Sequence, residues 1–104
     1  MPNFIFAYHG GNTPETPEEG EKVMAAWNSW YADMGTAVIE GGGPVGQSST
    51  VSKTGVAENG GANPLSGYSV ISAADMMAAC AMAKNCPMVK DGTGSVEIAE
   101  VFQM

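Results

Sequence analysis

Arginine is missing from this chain. Four lysines stand against eleven aspartates and glutamates, for a net charge of −7 at pH 7. The planar arginine fork is the side chain best matched to phosphates and base edges, so an acidic chain without one argues against nucleic acid as a partner. The same charge disfavours anionic membrane surfaces. Long apolar runs are also missing, and none approaches the roughly 18 residues of a spanning helix. Histidine occurs once, at His9, and cysteine twice, at Cys80 and Cys86. That spacing is neither a zinc knuckle nor a Cys-x-x-Cys pair, so no metal centre is expected. The start, Met1-Pro2-Asn3-Phe4-Ile5-Phe6, has neither the basic region nor the apolar stretch of a secretory signal. A cytoplasmic protein with reduced thiols is the expectation.

What is present makes one domain of 104 residues. Phe4, Phe6 and Tyr8 alternate with Ile5, Ala7 and His9, the period-two pattern of a strand with both faces at least partly covered. Thr16, Pro17 and Glu19 then form an N-cap, a first-turn proline and a capping-box partner, so a helix starts at residue 17. Glu15, Glu18, Glu19 and Glu21 around that start read as solvated acids favoured by the helix dipole. Val23, Met24, Trp27, Trp30, Tyr31 and Met34 recur at helical spacing, and Gly35 is placed to stop the helix. Short strands are expected over 36–40, 50–53 and 66–71, with a polar loop over 55–63. Ser72 with Asp75, flanked by Ile71 and Met76, predicts a second helix start, whose slim face is Met76, Met77, Cys80, Ala83 and the intervening alanines. Pro87 ends that helix, and a last strand runs over 96–102. The order β-α-β-β-β-α-β predicts a ferredoxin-like α+β sandwich with a mostly antiparallel sheet. Two helices cover one face of such a sheet. Its apolar second face predicts a homodimer.

The opening Phe-Ile-Phe-Ala-Tyr strand, Pro17-Glu-Glu followed by Met24-Ala-Ala-Trp27 and Trp30, the Gly42-Gly43-Pro44 turn, Gly67-Tyr68 and Ala81-Met-Ala-Lys-Asn-Cys-Pro come in a distinctive order. On these residues, over nearly its whole length, the chain resembles the YCII-related family, small dimeric α+β-barrel proteins that include the DGPF domains. The Asp-Gly-Pro-Phe motif itself is replaced here by Glu58-Asn-Gly-Gly-Ala-Asn-Pro-Leu65. For some members the resemblance implies a His–Asp catalytic pair, and one relative removes chloride from a chlorinated aromatic ring. The histidine of that pair belongs to the first helix, where residues 17–34 of this chain have none. Asp33 is present near the helix end.

The candidate acid–base residues are therefore His9, at the junction of a strand and a glycine turn, and a carboxylate such as Asp33 or Glu40. Trp27, Tyr31, Ser48 and Tyr68 are the candidate ligand-binding residues. Trp27, Trp30 and Tyr31 spread over more than a quarter-turn of the helix, so one of them is free to line a pocket beside the sheet. Gly41-x-x-x-x-Gly46-Gln47-Ser48 superficially matches a phosphate loop, but Gln47 stands in the lysine position and β-prone residues follow it. It reads as a bend between strands, with Ser48 on the rim of a cleft. No cofactor is expected. Two functions follow: a dimer that binds a small metabolite, aromatic ones included, or a metal-free acid–base enzyme using His9 with a carboxylate.

Overall fold

The computed structural model describes residues 1–103. The elements are β1 (Asn3–Gly10), α1 (Pro17–Met34), a 3-10 turn over Gly35–Ala37, β2 (Val38–Pro44), β3 (Thr50–Ser52), β4 (Gly55–Ala57), β5 (Leu65–Ser72), α2 (Met76–Ala83), α3 (Pro87–Lys90) and β6 (Gly94–Val101). Four strands form one sheet in the order β2-β5-β1-β6, with every neighbouring pair antiparallel. This is the ferredoxin-like α+β sandwich. Between the helices the chain adds one strand to the three expected. Gly55–Ala57, read from sequence as loop, pairs with Thr50–Ser52 as a separate hairpin.

Helix α1 begins and ends at the expected residues. Thr16 Oγ1 accepts from the Glu19 N–H at 3.1 Å, and Gly35 closes the helix at φ 55°. The returning carboxylate of Glu19 bonds the N–H of Glu15, one residue before the usual capping-box position. Only the second half of the expected stripe is engaged. Trp30 is buried and Trp27, Tyr31 and Met34 are partly so, while Val23 and Met24 are exposed.

The second helix starts later than Ser72 and Asp75 suggest. Ser72 stays in β5 opposite Asn3, and the Ala73 N–H continues the pairing to the Pro2 carbonyl. With Ser72 held in the ladder, Asp75 becomes the cap, its Oδ1 accepting from the Ala78 N–H at 2.8 Å. Only the alanines of the expected face turn inward. Ala79 and Ala83 are buried, whereas Met76, Met77 and Cys80, expected against the sheet, are exposed. Alanines let α2 lie close to the strands.

The alternation along β1 sorts the two sheet faces. Phe4, Phe6 and Tyr8 are buried under the helices with Ile71, Trp30 and Cys86. On the other face stand Ile5 and Val70, both half-buried, with Ala7 and Ala99 beside them in register. No helix covers these residues.

Candidate functional site

Two clusters carry the chemistry, one on each face of the sheet. The first lies between α1 and the strands. The Tyr8 hydroxyl donates to Ser69 Oγ at 2.8 Å, and Ser69 Oγ donates to the Gly41 carbonyl at 2.9 Å. Tyr31 Oη lies 2.9 Å from Ser69 Oγ and 3.4 Å from the Gly41 carbonyl. Ser69 has one proton to give, and it goes to Gly41. Tyr8 donates to Ser69, and the Tyr31 proton goes to one of the two acceptors beside it, Ser69 Oγ or the Gly41 carbonyl. Ser69 and Tyr8 are buried, and desolvation pushes the Tyr8 phenol far above its ordinary pKa, so it remains a donor. Tyr31 is partly exposed. Its oxygen keeps a lone pair that nothing in the cluster uses.

The local sequence explains this placement. Strand β2 loses register with β5 between Glu40 and Gly43, and Gly42 sits at φ 63°. A Cβ on Gly42 would run into the Tyr68 carbonyl, so only glycine allows the bulge that presents the Gly41 carbonyl to Ser69. Aromatic rings wall the cluster. Trp27 meets Tyr8 edge-on with centroids 5.0 Å apart, and Trp30 stacks on Tyr31 at 5.4 Å. The Trp30 indole N–H is taken by the Met82 carbonyl at 3.0 Å.

The second cluster is on the uncovered face. His9 Nε2 lies 2.9 Å from Glu97 Oε1, and His9 Nδ1 lies 3.1 Å from the Pro64 carbonyl. Both partners are acceptors. A neutral imidazole donates only once, so this arrangement selects the doubly protonated ring. Burial pulls the His9 pKa down, but the Glu97 carboxylate and the Pro64 carbonyl together outweigh it, and the net shift is upward. Glu97 is 73% exposed and the His9 side chain only 10%. Nearby, Tyr68 donates to Glu40 Oε1 at 3.1 Å, and that bond and charge hold its phenol above the ordinary value.

The structure thus gives His9 a carboxylate, and that carboxylate is Glu97. Asp33, on the exposed side of α1, is not within ion-pair distance of it. Trp27 and Tyr31 come together with Tyr8. Tyr68 is on the opposite face, and Ser48 packs near Gly60 at the base of the β3–β4 hairpin. Sequence reasoning missed Ser69, the Gly41 carbonyl and Glu97. Ser69 was detectable: Gly67, Ser69 and Ile71 alternate on the inward side of β5, so a hydroxyl there had to be buried. Glu97 required the β1–β6 register, which sets Ala7 opposite Glu97.

Shallow apolar grooves lie elsewhere. One of about 320 Å³ runs between α2, α3 and β6 past Cys80 and Lys84, and one of about 350 Å³ lies by Met34 and Met82. Cys86 is buried, and desolvation raises its thiol pKa, as expected of an inert core cysteine. Among the described residues no helix is long and apolar enough to cross a membrane.

No protein-family model and no curated protein sequence matches the chain. Among solved structures it is similar to 5-chloro-2-hydroxyhydroquinone dehydrochlorinase from Burkholderia phenoliruptrix AC1100, in complex with 2,5-dihydroxybenzoquinone. The TM-score is 0.60 at 13% identity, over 100% of this chain and 96% of that one. At that identity the likeness shows a shared α+β fold.

Proposed function

We propose that this chain is a YCII-related protein of the cytoplasm, one domain over residues 1–104, that forms a homodimer and binds a small hydroxylated aromatic metabolite beside the sheet. The observation that carries the ligand class is the free acceptor at Tyr31. Its proton is committed within the cluster, to Ser69 or the Gly41 carbonyl, so its oxygen recognises a group that donates, and Trp27 offers an aromatic wall one turn away. A phenol or hydroquinone satisfies both. The solved structure with the same fold holds a dihydroxylated quinone, which agrees with the size and type of ligand. Tyr68 and Ser48 stand outside this site.

The dimer reading is supported by the uncovered sheet face, where Ile5, Val70, Ala99 and Val101 give a second copy an apolar surface to cover. Sedimentation velocity at micromolar concentration tests it, with a dimer expected and a monomer refuting it. Thermal shift with hydroquinone against 1,4-dimethoxybenzene tests the ligand. The two probes share a ring and differ in donors, so hydroquinone alone is expected to stabilise the protein. Equal shifts would remove Tyr31 as the recognition group.

One observation favours a second reading, an acid–base enzyme: the 2.9 Å contact of His9 with a carboxylate. As a base, His9 must first give up a proton that Glu97 or Pro64 holds. Chloride release from 5-chloro-2-hydroxyhydroquinone, lost in His9→Gln, is its signature. No release by the native protein rules it out for that substrate.

A further inference from the structure

The geometry points to the β3–β4 hairpin as a clasp that closes on a second copy of this chain. This inference rests on the dimer proposed above. A compact chain of this length has a radius of gyration of about 13 Å, whereas this one measures 14.7 Å, with two principal extents of 43 Å. An eight-residue strand spans only about 27 Å. The excess is consistent with a hairpin that projects from the body.

The arm is tied chiefly to itself. The Gln47 side-chain amide donates to the Glu58 carbonyl at 2.8 Å, and Thr50 Oγ1 donates to the Asn59 carbonyl at 2.6 Å. Val51 and Val56 face each other across the ladder and are 76% and 67% exposed. An isolated two-stranded hairpin is marginal in water, so a pair of uncovered valines on one calls for a cover.

Charge identifies the cover. Lys53 occupies the turn at the arm's tip and is the only lysine between Lys22 and Lys84. Among the described residues no lysine is ion-paired. The body is acidic, and the uncovered face carries Glu97, 73% exposed, in the half of β6 nearer the arm's base, since both Leu65 and Ser95 pair with His9. Its Oε1 holds His9, and among the described residues its Oε2 has no hydrogen bond. A two-fold axis along the strands stacks β2 of one copy over β6 of the other and keeps like ends together. Each arm then starts beside the partner's β6 and closes across its open face, where Lys53 meets the Glu97 carboxylate and the valines meet apolar surface.

Sedimentation equilibrium on three proteins tests this: the native chain, the arm variant V51T/K53E/V56T, and the face variant Val70→Lys. Threonine keeps the shape and strand preference of valine, so the hairpin persists while its apolar surface goes. The arm variant is expected to dimerise about tenfold to a hundredfold more weakly, from the loss of two buried valines and an ion pair. Its thermal unfolding when dilute is expected to match the native monomer's. If Val70→Lys dissociates while the arm variant dimerises like the native chain, the dimer stands and the clasp is wrong. A native chain that stays monomeric at tens of micromolar overturns both.

Discussion

The same strands build two unlike faces. Under the helices, Phe4, Phe6, Tyr8 and Ile71 are sealed, and the Tyr8 and Ser69 hydroxyls among them are hydrogen-bonded to one another and to the Gly41 carbonyl. One residue along in each strand, Ile5, Ala7 and Val70 are half-covered, and His9 and Tyr68 there hold carboxylates, Glu97 and Glu40, that reach into solvent. The contrast comes from period-two alternation. Residues on the sealed face are fixed by packing density. Those on the other face are left for whatever second surface meets them.

The sharpest way to break that contrast is to truncate matching residues on the two faces. Phe6→Ala is expected to cost about 3–5 kcal/mol, read as a lower denaturant midpoint, since it opens a cavity in the core. The neighbouring Ile5→Ala should cost the dilute monomer much less and show itself instead in weaker self-association. Next in size is Gly42→Ala, at about 2–3 kcal/mol, because a side chain at positive φ collides with the Tyr68 carbonyl and the β2 bulge must reform. Ser69→Ala should cost about 1–3 kcal/mol, as the Tyr8 hydroxyl and the Gly41 carbonyl lose their buried partner. Tyr8→Phe in the same background should recover part of that loss, which a simple packing defect would not.

The smallest effect belongs to the open face. His9 binds its proton more tightly in the folded protein than at its ordinary pKa of 6.5. The stability this adds is fully present below that value and is lost as pH rises through the higher folded pKa. Glu97 is well exposed and screened, so the contribution stays below about 1 kcal/mol. Denaturation at about pH 6 and about pH 8 should show the native chain losing more stability than Glu97→Gln across that interval. Equal losses would mean that Glu97 does not hold the imidazole charged.

Much of the fold was legible because local signals agreed with tertiary ones. Thr16, Pro17 and Gly35 bracket α1 through the chemistry of caps, which acts within a few residues. Where local and tertiary demands compete, sequence misleads. Ser72 is a good cap on its own, but its backbone is claimed by Asn3 across the sheet, and Asp75 takes over. The first strand of the β3–β4 hairpin was legible at 50–53, but its partner Gly55–Ala57 hid inside a polar, glycine-rich segment with only Val56 to mark it. The site was less legible for the same reason. Trp27 and Tyr31 carry helical periodicity and were found, whereas the His9 partner sits 88 residues away and only register brings it near.

The central claim is that Tyr31 offers an acceptor to a hydroxylated aromatic. Isothermal titration of hydroquinone into the native chain and Tyr31→Phe tests it most directly, because the variant keeps the ring, the Trp27 wall and the Tyr8–Ser69–Gly41 chain. Binding to the native protein that weakens about tenfold or more in the variant is the predicted result, the scale of one lost hydrogen bond. Equal affinity for both proteins, or no heat from either, would contradict it.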